Sequence, residues 1–268
     1  MSVPPFGDRR LSDDERTRRA PAKFVEGVPL ARLIKRELRK SPEIVMTEGP
    51  RTPAAERFRR LRSLIHHDHQ ESPQVILITS ALPGEGKSTT AINLALAFAK
   101  DDEGAVLLLD GDTRRPTIGT FLDPPPSLGL REIIENKVGL EHALIEIEKS
   151  RLWVLPAGEP ATDPVAMLAS DAMAKLFASL RGRFTRIIVD SPPIVPFTDA
   201  DVIGAHCDAA LMVARSGVTS RPALEQALAA VTTTRLLGIA LNDVRFSLAD
   251  RHRHYDHYYS AYYDRKKK

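Results

Sequence analysis

A glycine-containing loop between two apolar segments restricts the folds available to this chain. Residues 75–79 have the composition of a buried strand, and residues 89–99 have the apolar spacing of a helix. In such a position glycines let backbone N–H groups surround phosphate oxygens, a lysine reaches the β- and γ-phosphates, and a serine hydroxyl ligates Mg²⁺. The sequence therefore predicts seven residues that bind a nucleotide: Pro83, Gly84, Glu85, Gly86, Lys87, Ser88 and Thr89.

One position departs from the general phosphate-loop pattern G-x-x-x-x-G-K-[ST]. The pattern places its first glycine at position 81, where this chain has Ala81. A glycine-containing turn that binds no ligand is therefore the alternative interpretation of this segment.

Short apolar segments alternate with helical ones from Ser72 to Val244. This alternation predicts an α/β fold of the P-loop NTPase-like kind, with a mostly parallel central sheet and helices on both faces. The predicted strands are 75–79, 106–110, 152–155, 186–190, 209–214 and 237–241. The predicted helices are 89–99, 130–135, 171–180 and 221–232.

Three carboxylates stand at the ends of two predicted strands. Asp110 ends one strand, Asp112 follows two residues later, and Asp190 ends another strand. The strand ends of an open α/β sheet converge on one crevice, so we expect all three beside the loop. Carboxylate oxygens suit Mg²⁺, and phosphoryl transfer needs its charge neutralised. Each aspartate taken alone is also a common loop or turn residue.

Charge is segregated along the chain. Residues 1–70 carry 16 Lys/Arg against 10 Asp/Glu, residues 71–244 carry 15 against 22, and residues 245–268 carry 7 against 3. Basic ends favour anionic lipid or nucleic acid, although solvated ends without a partner are the alternative. No stretch has the roughly 18 apolar residues of a transmembrane helix, and residues 1–20 lack the apolar core of a signal peptide.

We expect three regions. Residues 1–50 form a basic, largely disordered N-terminal segment, in which Leu30, Leu33, Ile34 and Leu38 have the spacing of a short amphipathic helix. Residues 51–244 form the P-loop domain. Residues 245–268 form a flexible basic tail that holds all five tyrosines of the chain: Tyr255, Tyr258, Tyr259, Tyr262 and Tyr263.

A further helix is predicted before the first strand of the P-loop domain. Thr52 is its N-cap and Pro53 its first helical residue. Glu56, Arg59 and Arg62 then line one face, a pattern typical of a solvated surface and also compatible with an interaction surface.

These motifs together resemble the bacterial tyrosine kinases (BY-kinases) of capsule and exopolysaccharide biosynthesis. Residues 83–89 are similar to their Walker A motif, 108–116 to Walker A′ and 187–193 to Walker B. Segments 156–168, 198–200 and 239–242 also match family positions, with Asp163 where the family often has asparagine. Leu82 stands where related MinD/ParA-type ATPases have a lysine, which argues against that branch.

The resemblance implies an autokinase that uses ATP and Mg²⁺ to phosphorylate the tyrosines of its own tail. The row Glu56, Arg59 and Arg62 matches the family motif E-x-x-R-x-x-R, which implies ring-like homo-oligomers. With no fused transmembrane activator expected, the family implies a separate membrane adaptor of the polysaccharide co-polymerase type and a cognate tyrosine phosphatase. The implied location is the cytoplasm, at the inner face of the plasma membrane, and nucleic acid is not expected as a partner.

The catalytic hypothesis gives each site residue a role. Lys87 and the loop hold the phosphates, and Ser88 and Asp112 hold Mg²⁺ together with Asp190, which acts directly or through water. Either Asp110 or Asp112 accepts or orients the phenol proton.

Other interpretations stay open from the sequence. Asn242 contacts adenine or merely ends a strand. An ATPase switch without kinase activity is the main alternative function, and a tail that binds metal through His252, His254 and His257 is a third.

Overall fold

The computed structural model describes residues 34–47, 52–67, 72–101 and 104–244. The predictions for residues 1–33 and for the tyrosine tail, 245–268, lie outside these residues.

The described residues form strands and helices in alternation. The strands are β1 (Ile34–Leu38), β2 (Val75–Ser80), β3 (Val106–Asp110), β4 (Leu122–Asp123), β5 (Ile145–Ile147), β6 (Leu152–Leu155), β7 (Arg186–Asp190), β8 (Ala209–Arg215) and β9 (Arg235–Asn242). The helices are α1 (Pro53–His67), α2 (Lys87–Asp101), α3 (Leu130–Ile134), α4 (Leu140–Ala143), α5 (Pro164–Leu168), α6 (Asp171–Arg181), α7 (Asp199–Gly204) and α8 (Arg221–Ala230).

The strands form one twisted, mostly parallel sheet in the order β4-β1-β5-β6-β3-β7-β2-β8-β9. Two pairs are antiparallel, β1 with β4 and β5 with β6. The central strands β2, β3 and β7 are buried along their whole length, as expected when helices cover both faces of a parallel sheet. The predicted fold class is confirmed, and each of the six predicted strands corresponds to an observed one.

Helices cover the two faces of the sheet with separate apolar clusters. On one face, Phe98 of α2 packs with Ile76 of β2. On the other, Phe177 of α6 packs with Leu77 of β2. This alternation of neighbouring β2 residues between the two clusters follows from the period of two in a strand, and it fixes the strand ends relative to α2.

The predicted amphipathic helix at Ile34 and Leu38 is wrong, because these residues belong to strand β1. Positions 34 and 38 satisfy the spacing of a helix and also the period of two in a strand. Arg36 completes the inward-facing row, since its aliphatic stem is half-buried while its guanidinium donates a hydrogen bond to the Pro124 carbonyl. The other two residues assigned to that helix, Leu30 and Leu33, lie outside the described residues.

The segment that follows β1 is also part of the folded domain. Ile44 and Met46 are fully buried. Asn93 of α2 accepts a hydrogen bond from the Met46 N–H (3.1 Å) and donates to the Glu43 carbonyl (2.7 Å). The prediction of a largely disordered segment up to residue 50 is therefore wrong for residues 34–47, where buried apolar side chains offset the cost of ordering.

Helix α1 begins as predicted, with Thr52 Oγ1 accepting from the Ala55 N–H (3.2 Å) and Pro53 as its first residue. None of the helices in the described part of the chain combines the length and the apolar character needed to cross a membrane.

Candidate active site

The predicted phosphate loop lies between β2 and α2, at the end of the sheet where the parallel strands terminate. Gly84 has a φ of 80° and Gly86 a φ of 92°, in the left-handed region that favours glycine. Lys87 is the first residue of α2. The loop backbone thus wraps around a space at a helix N-terminus, which is a favourable place for a phosphate.

Two side chains hold the phosphate loop by donating hydrogen bonds to its backbone carbonyl groups. The Gly84 carbonyl accepts from Arg215 Nη1 (3.3 Å), and the Glu85 carbonyl accepts from Asn242 Nδ2 (3.0 Å). A Cβ on Gly86 would lie 1.9 Å from Asn242 Nδ2, so only glycine fits there without displacing Asn242. The structure therefore brings Asn242 to the site, while its contact with adenine stays a prediction.

The Glu85 side chain stabilises the loop through hydrogen bonds made in the protein interior. It is buried; Oε2 accepts from the Leu82 N–H (2.9 Å) and Oε1 accepts from the Thr219 hydroxyl. Glu85 is thus available to a nucleotide through its backbone rather than its carboxylate.

Strands β3 and β7 bring the three predicted carboxylates to the loop. The strands are adjacent and parallel, with Asp110 opposite Asp190. Lys87 Nζ lies 3.3 Å from Asp112 Oδ2, and both side chains are nearly buried. The structure confirms that these residues come together, as the sequence pattern indicated.

Asp110 anchors the segment that carries Asp112. Its Oδ1 accepts from the Asp112 N–H (3.1 Å), and its Oδ2 accepts from the N–H groups of Thr117 (3.1 Å) and Ile118 (3.0 Å). Burial raises the pKa of Asp110 well above its ordinary value, and repulsion from the Asp190 carboxylate adds to the effect.

Asp190 is enclosed at the end of β7. Neither carboxylate oxygen accepts a hydrogen bond of ordinary geometry from the described residues. Burial raises the pKa of Asp190 to about 6, against the lowering effects of Lys87 and of the nearby Ser88 hydroxyl. A buried carboxylate with open acceptor positions beside Lys87 and Ser88 fits a site that takes a cation together with phosphate.

The set of predicted Mg²⁺ ligands is sparse. Among the described residues, no group of three or more His, Cys, Asp and Glu side chains is arranged to hold a metal. As Mg²⁺ ligands, Ser88, Asp112 and Asp190 would leave half of the six positions of an octahedral ion to phosphate oxygens and water, an arrangement usual in phosphoryl-transfer sites.

One contact beside the site, between two of the segments that match family positions, was not predicted from the sequence. Asp199, fully buried at the start of α7, accepts from Arg114 Nε (2.9 Å). The Arg114 guanidinium also lies 4.5 Å from the centre of the Phe197 ring. Arg114 follows Asp112 by two residues, so this contact fixes the Walker A′ segment against α7; residues 85 positions apart in sequence gave no spacing signal.

The predicted oligomerisation row lies on α1. Arg59 Nη1 pairs with Glu56 Oε2 (2.7 Å), and all three side chains of the row, Arg62 included, are half-buried rather than fully solvated. The predicted phosphoacceptors Tyr255, Tyr258, Tyr259, Tyr262 and Tyr263 lie outside the described residues.

Asp163, which stands where the family often has asparagine, has a structural role. Asp163 Oδ1 accepts from the Ala166 N–H (3.1 Å) and caps α5. The side-chain oxygen of an asparagine can accept the same hydrogen bond, so aspartate and asparagine cap the helix equally well at this position.

Taken with the parallel sheet, the loop and the strand-end carboxylates define a P-loop NTPase-like protein. No family model matches the chain. Curated relatives show which kind of P-loop protein this chain resembles. Tyrosine-protein kinase YwqD of Bacillus subtilis is 34% identical over 218 residues, covering 80% of this chain and 90% of YwqD. Tyrosine-protein kinase CpsD of Streptococcus pneumoniae serotype 4 is 35% identical over 178 residues, 65% of this chain and 78% of CpsD. The chain belongs to the family of bacterial tyrosine-protein kinases.

The chain is also similar to a longer relative and to two solved structures. The succinoglycan biosynthesis transport protein ExoP of Rhizobium meliloti is 30% identical over 231 residues, which are 82% of this chain but 29% of ExoP. The chimerical protein CapA2B2 superposes with a TM-score of 0.74 at 30% identity, covering 82% of this chain and 96% of that one. The kinase domain of the Escherichia coli tyrosine kinase ETK has a TM-score of 0.72 at 25% identity, covering 86% and 95%.

Proposed function

We propose that this protein transfers the γ-phosphoryl group of ATP to tyrosines of its own C-terminal tail. The observation that carries the proposal is the contact of Lys87 with Asp112, 3.3 Å apart, at the edge of a loop with two left-handed glycines. In this proposal Lys87 is the cation that binds the phosphates, and Asp112 beside it is the carboxylate that serves the acceptor. Membership of the tyrosine-kinase family supports tyrosine as that acceptor.

The residues present suit a nucleotide with Mg²⁺. In this proposal Lys87 and the loop N–H groups hold the phosphates, Ser88, Asp112 and Asp190 hold the ion, and Asn242 contacts the adenine. When bound, Mg²⁺ neutralises charge that develops on the phosphate oxygens during transfer. The enclosed Asp190 oxygens, which accept no hydrogen bond of ordinary geometry from the described residues, support this assignment.

Asp112 is the better candidate of the two aspartates for the acceptor phenol. Both Asp110 oxygens accept backbone N–H groups, whereas in Asp112 only Oδ1 does so, from Arg115 (3.0 Å), and Oδ2 faces Lys87. In the transfer, the bond between the γ-phosphorus and its bridging oxygen breaks and a bond to the tyrosine oxygen forms. The phenol proton passes to the carboxylate of Asp112, and ADP leaves.

Replacement of all five tail tyrosines, Tyr255, Tyr258, Tyr259, Tyr262 and Tyr263, by phenylalanine tests the acceptor. The variant should bind ATP as the wild type does and carry no phosphate after incubation with ATP and Mg²⁺. Undiminished phosphorylation would place the acceptor elsewhere in the chain.

The α1 row supports self-association into rings. A half-buried Glu56–Arg59 pair next to Arg62 presents opposite charges on one surface, which suits a complementary charged surface of a second copy. Replacing Arg59 and Arg62 by alanine should convert the assembly to monomers in sedimentation. Arg60→Ala, on the exposed side of the same helix, is the matched control.

The longer relative supports a proposal for the cellular role. ExoP is named as a transport protein of succinoglycan biosynthesis and extends well beyond the matched region. We therefore propose a cytoplasmic protein, recruited to the inner face of the plasma membrane by an adaptor of the polysaccharide co-polymerase type and reset by a tyrosine phosphatase. Loss of membrane association when the adaptor is deleted is the expected result in cell fractionation.

A further inference from the structure

Arg215, the last residue of β8, bridges two parts of the molecule that the catalytic roles above do not connect. Its Nη1 donates to the Gly84 carbonyl (3.3 Å) in the phosphate loop. Its Nε and Nη2 both donate to Asp243 Oδ2, at 3.2 and 3.0 Å. One guanidinium therefore joins the loop to the residue directly after β9. A planar group with several fixed donors is suited to such a bridge.

Asp243 stands at the point where the chain leaves the sheet. It has a φ of 51°, a left-handed conformation that aspartate adopts more readily than most residues. The tyrosine-bearing tail begins two residues later, at 245. Residues 243 and 244 are referred to below as the tail root.

The same strand ends hold the loop at two further points. Asn242 Nδ2 donates to the Glu85 carbonyl (3.0 Å), and the Thr219 hydroxyl donates to the Glu85 carboxylate. Thr219 Oγ1 in turn accepts from the Arg215 N–H (2.7 Å). A change in the position of the tail root would therefore alter the hydrogen bonds that Arg215 and Asn242 make to the Gly84 and Glu85 carbonyls of the loop.

We propose that Arg215 is a positioning residue that couples the tail root to the phosphate loop. The inference rests on the proposed function in that the loop binds a nucleotide. Nucleotide binding favours the loop conformation that Arg215 holds, and by thermodynamic reciprocity the placement of the tail root changes nucleotide affinity by the same factor. The tail root, to which the acceptor tail is joined, and the ATP site are thus energetically linked.

The coupling is measured in the full-length protein as the Kd for ADP with Mg²⁺, which avoids turnover. Asp243→Gly keeps the left-handed backbone and removes the carboxylate; Arg215→Gln removes the bridge. Each should raise the Kd about 5-fold. The double variant should raise it no further than the larger single change, because both act through one contact. Asp243→Asn, which keeps an acceptor oxygen, should restore the Kd to within about twofold of wild type.

The matched control is Arg221→Gln, which removes a surface arginine paired with Glu225 (2.7 Å) and should leave the Kd unchanged. The coupling would be overturned if Asp243→Gly left the Kd unchanged, even with a lowered melting temperature. It would also be overturned if the fold-increase in Kd of the double variant equalled the product of the increases in the two single variants. A wild-type protein that fails to bind ADP overturns it as well. If the protein binds ADP but never phosphorylates its tail, the proposed function fails while the Kd comparison still decides the coupling.

Discussion

Lys87 Nζ lies 3.3 Å from Asp112 Oδ2, in a pair whose side chains are 12% and 5% exposed. A phosphate that enters the loop competes with Asp112 for the lysine. In the proposed mechanism, exchange of the carboxylate for phosphate releases Asp112 Oδ2 from the lysine, so that the carboxylate can ligate Mg²⁺ and accept the phenol proton. The pair therefore links nucleotide binding to the availability of the proposed base.

Asp112→Asn should separate binding from chemistry. Without Mg²⁺, the variant should bind ATP a few-fold more tightly, because a competing carboxylate that also repels the phosphates is lost. With Mg²⁺, tyrosine phosphorylation should fall at least 100-fold, as expected for loss of a carboxylate that is proposed both to ligate Mg²⁺ and to act as the general base. Calorimetry and a phosphorylation assay measure the two effects. Asp171→Asn on α6, an exposed aspartate, is the control, and phosphorylation by Asp112→Asn at the wild-type rate would refute the role.

Gly86→Ala should be more damaging than Gly84→Ala. Both glycines have positive φ, but a Cβ on Gly86 meets Asn242 Nδ2 at 1.9 Å, whereas one on Gly84 meets nothing within 4 Å. We expect a loss of unfolding free energy of about 1–3 kcal/mol beyond the backbone strain shared by both variants. Urea unfolding measures it. The double variant Gly86→Ala/Asn242→Ala should recover part of the loss; equal stability of the two single variants would contradict the close contact.

Arg114→Leu should destabilise the fold through Asp199. The variant leaves the fully buried Asp199 carboxylate without its cation. For a fully enclosed pair, such a loss lowers the free energy of unfolding by about 3–5 kcal/mol. Because the Arg114 side chain is 34% exposed, we expect a loss of about 2 kcal/mol. Chemical denaturation of Arg114→Leu and of the exposed control Arg221→Leu gives the comparison, and the control should change by less than about 0.5 kcal/mol. An equal effect of both substitutions would rule out the Asp199 contact as the cause.

Acid should weaken the fold partly through Asp208. Burial acts to raise the pKa of Asp208, but hydrogen bonds from Arg181 and from the Val75 and Gln74 N–H groups outweigh it and lower the pKa. A lowered folded pKa adds stability that is complete above the unfolded value of about 3.9 and is lost as the pH falls through the folded value. Wild type should therefore lose more unfolding free energy than Asp208→Asn between about pH 5 and pH 3. Parallel pH profiles of the two proteins would contradict this assignment.

The central sheet and the loop were predictable because their signals are local. Strands β3, β6 and β7 are continuous apolar runs with clear ends, and the glycine loop precedes the Lys87–Ser88 pair in sequence. Strand β1 was not predictable in this way. Ile34 and Leu38 fit either period, and only the neighbouring strands β4 and β5 decide between them.

The contacts that tune the site come from residues far apart in the chain. Arg215 and Gly84 are separated by 131 positions, and Arg114 and Asp199 by 85. No motif spacing encodes such pairs, because the sheet order, rather than the sequence order, makes β8 a neighbour of β2. The candidate ligands were therefore predictable, whereas the residues that hold them were not.

Intact-mass measurement of the full-length protein after incubation with ATP and Mg²⁺ tests the central claim most directly. We expect added phosphate in the wild type. We expect none in the variant with Tyr255, Tyr258, Tyr259, Tyr262 and Tyr263 replaced by phenylalanine, and none in Lys87→Met, which lacks the cation proposed to hold the phosphates. Hydrolysis of ATP by the wild type with no phosphate on the protein would contradict the central claim and would favour an ATPase switch.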